Sequence, residues 1–170
     1  MTIHYRKLGV ADAEASVALR KAMLLDSPAS FGSSPTDDRG SDIVQVRERL
    51  QASAQHAAFG AFDDTAGLVG SVGVGLHTKL KENHKASVWG MYVAPAFRRR
   101  GVGRRLMAEA ITFAQAAQGI AAVQLSVSAS APGAQRLYES LGFVVWGTEP
   151  DALRIDGQSF DEHHMALKLS

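Results

Sequence analysis

The chain has 170 residues, 46% hydrophobic and 21% charged, a balance that fits one globular domain over residues 1–170 and excludes a disordered chain. A formal charge of +1 with 7% aromatic residues leaves no broad basic face with stacking platforms, so no nucleic acid partner is expected. Cysteine is absent, which removes disulfides, thiolate metal sites and a cysteine nucleophile and fits a reducing, cytoplasmic setting.

Ile3 to Leu8 reads as a short strand. It carries no signal-like apolar core, and no later apolar run approaches membrane-spanning length, so no membrane partner is expected. From about Ala11 to Leu25, Val17, Leu19, Met23 and Leu24 recur at helical spacing, and Pro28 ends that helix. Ser27 to Pro35 reads as an ordered loop with Phe31 buried in it. A second helix fits about Ser41 to Ala54, with Ser41 as its N-cap. Ala57 to Phe62 and Leu68 to His77 form a hairpin pattern around Asp63 to Gly67. The second of these strands carries Gly70, Gly73 and Gly75, which mark a bulge or a place where something packs close to the backbone.

A strand from Ala86 to Val93 leads into the most distinctive stretch of the chain. Pro95 stops the pairing, a basic glycine-punctuated turn follows, and a helix runs from Gly101 to Gln118 with Val102, Leu106, Ala110 and Phe113 on one face. Glycine turns of this kind align backbone N–H groups, and a helix start adds free donors and a positive dipole end, so the stretch reads as a phosphate cradle. A Walker A loop is absent from the sequence. A dinucleotide fingerprint fails because Leu106 stands where Gly or Ala is required and no acidic residue lies at the right distance. Ala122 to Val127 is the next strand and Pro132 opens another helix, which ends at Gly142 and Phe143 in a Schellman stop. Phe143 to Gly147 and Phe160 to Leu169 are the last strands, joined by an irregular excursion from Thr148 to Ser159.

Arg98-Arg99-Arg100-Gly101-Val102-Gly103 resembles the pyrophosphate signature of the GNAT superfamily of acyl-CoA-dependent N-acyltransferases. A second signature of that superfamily is matched by Ala134, Leu137-Tyr138 and Gly142-Phe143, with Ala131 where the family commonly has Asn. Asp26 to Gly32, Trp89 to Val93 and Asp161 to Met165 resemble a bacterial subgroup with no assigned substrate. The resemblance implies an α/β (α+β) GNAT fold: a mixed, mostly antiparallel seven-stranded sheet with a splayed parallel central pair and about four flanking helices. It implies an acetyl-CoA-dependent N-acetyltransferase acting by direct attack of a primary amine on a small molecule, amino acid-like compound or peptide. Homodimers are common in that superfamily. A non-catalytic acyl-CoA sensor of the same fold is the alternative.

The same resemblance places acetyl-CoA against Met91, Tyr92, Val93, Arg98, Arg99, Arg100, Gly101, Val102, Gly103, Arg104 and Tyr138, and the acceptor against Phe31, Trp89 and His163. Tyr138 is the implied acid that reprotonates the thiolate. The base is open, because Ser87, Trp89 and Met91 offer no carboxylate on the strand where many relatives carry a glutamate. Glu82, His84, Asp161 and His163 are the candidates, the last two in phase with Met165 on the final strand, while Glu162 and His164 fall on its other face. Adjacent histidines on a strand do not converge, so no metal is expected.

Overall fold

The computed structural model describes residues 2–170. Seven strands form one sheet in the order β1-β2-β3-β4-β5-β7-β6. They are β1 (Ile3–Lys7), β2 (His56–Asp63), β3 (Gly67–Leu76), β4 (Lys85–Val93), β5 (Ala122–Ser128), β6 (Val144–Ile155) and β7 (Gln158–Lys168). Every neighbouring pair is antiparallel except β4 and β5, which run parallel because the crossover between them is a helix. The four helices are α1 (Ala13–Asp26), α2 (Ile43–Arg49), α3 (Val102–Ala116) and α4 (Pro132–Ser140). None is long and apolar enough to cross a membrane.

Hydrophobic patterning decides which face each helix covers. On α3, Val102, Leu106, Met107, Ala110 and Ala114 form one fully buried stripe. It packs with Val72, Val74, Val123 and Met165 of the sheet and with Tyr138 of α4 in the main core. Each large side chain so buried contributes roughly 1.5–3 kcal/mol. Smaller clusters hold the other helices: Leu8, Val46 and Leu50 with α2, and Leu19, Met23, Leu24 and Tyr92 with α1.

Two local expectations needed correction. The second helix begins later and ends earlier than its pattern predicts, and its cap is Asp42, whose carboxylate accepts from the N–H of Val44 at 2.9 Å. Ser41 instead donates to Asp38 at 2.7 Å. The expected excursion from Thr148 to Ser159 is not a loop either. β6 and β7 extend through it to a tight turn at Asp156 and Gly157, both with positive φ (49° and 79°), as a two-residue hairpin demands. A bulge between Glu149 and Leu153 holds the irregularity that the sequence displays.

The segment between α1 and α2 is pinned by one buried ion pair. Arg20 donates to Asp38 at 2.9 and 3.1 Å, and only 2% of the Asp38 side chain is exposed. Burial alone would raise the Asp38 pKa, but the hydrogen bonds from Arg20 and Ser41 outweigh it and bring it down to about 2. A carboxylate depressed in the folded state stabilises above its unfolded pKa and loses that contribution as pH falls through the folded one. Asp38→Asn is therefore expected to cost about 2 kcal/mol at neutral pH. Thermal melts should show the gap to wild type narrowing between about pH 4 and pH 2; a gap constant across that window would contradict it.

Candidate active site

β4 and β5 pair only over Lys85–Ser87 and Ala122–Gln124. Beyond Ser87 and Gln124 the strands part, so backbone groups that face the gap lack a strand partner, a situation a protein interior tolerates only beside a solvated or ligand-binding space. The gap opens a cavity of about 1040 Å³. Near its middle β4 is bulged: the register against β3 shifts between Ser71 and Gly73, and Gly90 takes φ of 61°, open to glycine at little cost. Beyond the bulge consecutive side chains again point to opposite faces, as in any strand. Met91 reaches α3, where a Cβ on Gly103 would lie 3.0 Å from its Cε, while Tyr92 packs with α1.

One end of the cavity is the start of α3. Arg99 and Gly101 are both left-handed, with φ of 60° and 79°, and this curl brings the chain into the helix. Arg105 N–H is the donor that bonds back to Gly101 O, at 3.0 Å, so the N–H groups of the first turn before it have no intrahelical acceptor. Gly103 sits between Met91 and Leu137, 3.0 and 3.1 Å from where its Cβ would be. Arg99, Gly101, Val102, Gly103 and Arg104 all line the space.

The arginines around this turn are not equivalent. Arg98 lines the cavity, but its Nε donates to Val93 O at 2.8 Å, a terminal nitrogen pairs with Asp26, and the guanidinium lies over the Tyr92 ring. It fastens the end of β4 to the end of α1. The Asp26 carboxyl is held below its ordinary range by hydrogen bonds, first from Ser27 and then, against burial, from Arg98. Arg104 donates to Ser140 of α4 at 2.6 Å. Arg100 lies over Phe97 and does not line the cavity.

Tyr138 forms the wall opposite β4. Its residue is 6% exposed, and burial pushes the phenol up to about 12, so it is a neutral O–H donor at physiological pH. The hydroxyl makes no hydrogen bond to another described residue. The backbone beneath it is fixed: Phe143 N–H reaches Tyr138 O at 3.1 Å and Gly142 N–H reaches Glu139 O at 3.0 Å, the two bonds of a Schellman motif. The Phe143 ring then meets Tyr138 edge-on at 6.0 Å. Ala131, at the position where the superfamily commonly has Asn, lines the cavity without a polar side chain, beside the buried Ser128.

The other end of the cavity opens on the α1 side of the sheet. Phe31, Trp89 and Trp146 give it aromatic walls. Trp89 lies flat across β3, because a Cβ at Gly73 would come within 2.4 Å of its Nε1 and one at Gly75 within 2.8 Å of its Cη2. These glycines are the close-packing places that the sequence marks. A second groove of about 840 Å³ runs on beneath Trp89 and shares Arg20, Ser87 and Gly90 with the first cavity.

Of the base candidates named from sequence, none lines the cavity. His84 is exposed, and its carbonyl anchors the N–H groups of Ala121 and Ala122. Asp161 accepts from the N–H of Asp151 at 2.8 Å, and His163 Nδ1 bonds Thr148 Oγ1 at 2.9 Å. Asp161 and His163 do share the phase of Met165, but that face of β7 belongs to the α3 and α4 core. The cavity mouth lies on the opposite face, and there the structure brings His164 together with Ser126, Glu149 and Trp146. Sequence reading missed all four. The available signal was β5, whose Gln124, Ser126 and Ser128 alternate with buried Val123, Leu125 and Val127 and so give a central strand one polar face.

A split parallel pair, a helix start at one mouth and a buried tyrosine on the facing helix thus meet at one cavity. Residues 18–143 match the family model described as Acetyltransferase (GNAT) family, and the chain belongs to that family. No curated protein gives a significant sequence match. Among solved structures, an acetyltransferase of the GNAT family from Streptococcus pneumoniae superposes with a TM-score of 0.87 at 20% identity, over 99% of this chain and 100% of that one. YncA of Salmonella typhimurium, solved with acetyl-CoA as its cofactor, gives 0.83 at 20% identity over 100% and 95%. A GCN5-related N-acetyltransferase from Kribbella flavida gives 0.82 at 27% identity over 98% of each chain.

Proposed function

We propose that the protein transfers the acetyl group of acetyl-CoA to a primary amine of a small molecule, amino acid-like compound or peptide. The observation that carries this reading is the convergence of three features on one cavity: the unpaired edges of β4 and β5, the free donors at the start of α3, and Tyr138. The residues present fit the cosubstrate. Backbone N–H groups of Gly101, Val102 and Gly103 suit a pyrophosphate, as helix starts generally do. The backbone of β4 beyond Ser87 suits the amide-bearing arm, and an N–H of Met91 or Val93 suits the carbonyl oxygen as a preorganised donor.

Acetyl-CoA, when bound, supplies an activated acyl group on a thioester. The protein's own contributions are then positioning, carbonyl polarisation and proton management. Tyr138 holds a proton at its phenolic oxygen for the leaving sulfur, and the aromatic mouth of Phe31, Trp89 and Trp146 receives the amine-bearing acceptor.

The test is release of CoA thiol against a panel of amines, amino acids and peptides, paired with calorimetric binding of acetyl-CoA. Saturable acetyl-CoA binding, competed by CoA, with turnover of at least one amine is the expected result. Tight binding with no turnover across the panel would favour the sensor reading.

A further inference from the structure

Acetyl transfer to an amine needs a proton acceptor, because an alkylammonium has no lone pair to attack with and its pKa lies near that of lysine, about 10.4. No carboxylate lies among the residues lining the cavity. What the cavity mouth holds instead is a chain of three groups from three adjacent strands. Ser126 Oγ of β5 lies 2.8 Å from His164 Nδ1 of β7, and His164 Nε2 lies 3.2 Å from Glu149 Oε2 of β6.

The chemistry of each group fixes the direction of the chain. A carboxylate accepts only, so Glu149 selects the tautomer of neutral His164 that carries its proton on Nε2. Nδ1 is left as an acceptor and takes the Ser126 hydroxyl proton. Sheet geometry supports the arrangement: Ser126 and His164 are direct cross-strand partners, and Trp146 stacks on the imidazole at 5.4 Å and 28°. The ring therefore has both nitrogens and one face occupied. Ser126 and His164 line the cavity on the same side as Trp89 and Phe31.

We propose that Ser126, His164 and Glu149 form the relay that removes the proton from the acceptor ammonium. This inference rests on the acetyltransferase reading above. The ammonium proton passes to Ser126 Oγ as the Ser126 hydroxyl proton passes to His164 Nδ1, which leaves a neutral amine and an imidazolium facing Glu149. The imidazolium returns its proton to solvent at the mouth, where 29% of the His164 side chain is exposed. An ammonium converted to an amide gives up two protons. One leaves by this route, and the other replaces the proton that Tyr138 hands to the thiolate. Ser126 and His164 are catalytic residues in this scheme and Glu149 is a positioning residue.

The charged groups on this face include Glu149 on β6, Glu162 and Lys168 on β7 itself, the former paired across to Glu149, and two arginines that line the cavity, Arg20 paired with Asp38 and Arg98 paired with Asp26. The experiment compares wild type, His164→Ala, Ser126→Ala and Glu149→Gln with an amine that wild type turns over. His164→Ala is expected to bind acetyl-CoA as wild type does and to lose about 100-fold in kcat/KM for the amine, at the low end of general-base effects because the mouth is wet. Added imidazole should restore part of that rate, and the acid limb of the pH profile should move up toward the amine's own pKa, because only the free amine then reacts. Glu149→Gln should lower kcat/KM and shift that limb, and Ser126→Ala should lower kcat/KM several-fold. Turnover within about two-fold of wild type in His164→Ala, or a loss that imidazole does not restore with an unchanged pH profile, would overturn the proposal. An unaltered rate in Ser126→Ala would overturn the relay even if His164→Ala failed to fold. If wild type itself turned over no amine, the acetyltransferase reading would fall first, a result distinct from either.

Discussion

Tyr138→Phe is expected to lower kcat by about 10²- to 10³-fold while acetyl-CoA affinity stays within about two-fold. The substitution removes one oxygen and leaves the ring, its edge-on contact with Phe143 and the Schellman bonds beneath it. Loss of an O–H that makes no hydrogen bond to another described residue costs the fold little, so the variant should melt near the wild-type temperature. The phenol is pushed up to about 12 by burial, which keeps it protonated across the working range. Such a phenol is a weak acid in water. The dry wall that raises it also raises a thiol that leaves against it, so the transfer is less uphill than the isolated values imply. Single-turnover CoA release together with calorimetry separates the two quantities, and an unchanged kcat would remove Tyr138 from the chemistry.

Gly101→Val should weaken acetyl-CoA binding by about 100-fold, whereas Arg99→Ala should weaken it only a few-fold. The two changes distinguish backbone from side chain as the source of pyrophosphate affinity. Gly101 has φ of 79°, and a β-branched residue there costs roughly 1–2 kcal/mol before any ligand contact is considered. Relief of that strain rotates the peptide units whose N–H groups open α3, and charge-assisted hydrogen bonds are worth about 1.5–3 kcal/mol each. Arg99 is exposed, so its charge is screened by water and salt. Equal losses from both changes would assign the affinity to the arginines.

Much of the architecture was legible because the elements carry strong local signals. The α3 stripe, Pro132 with Gly142, and the apolar run into Pro95 each have one physical reading, and the resemblance to the family rests on the same residues. The β6–β7 hairpin was misread because charged and polar residues across the Glu149 bulge obscure strand alternation. The Asp156-Gly157 pair that makes the turn was the better guide. The polar cluster of Ser126, His164 and Glu149 escaped the sequence for a different reason. Period two tells which residues share a face, but it does not say which face meets the core and which meets the cavity; that depends on helices far away in sequence. Asp161 and His163 do share the phase of Met165, and the residues of β5 and β7 that line the cavity, Ser126 and His164 among them, include the opposite phase.

Gly103 gives the cleft a fixed gauge. It stands between β4 and α4, and the place of its absent methyl group is already only 3.0 Å from Met91 and 3.1 Å from Leu137. Both neighbours are flexible side-chain ends, so a single added carbon could be absorbed by small shifts, but a branched residue would wedge α4 and Tyr138 away from β4. The approach of α4 to the start of α3 thus depends on a side chain that is missing, and cleft width becomes a property of packing that ligand binding need not supply.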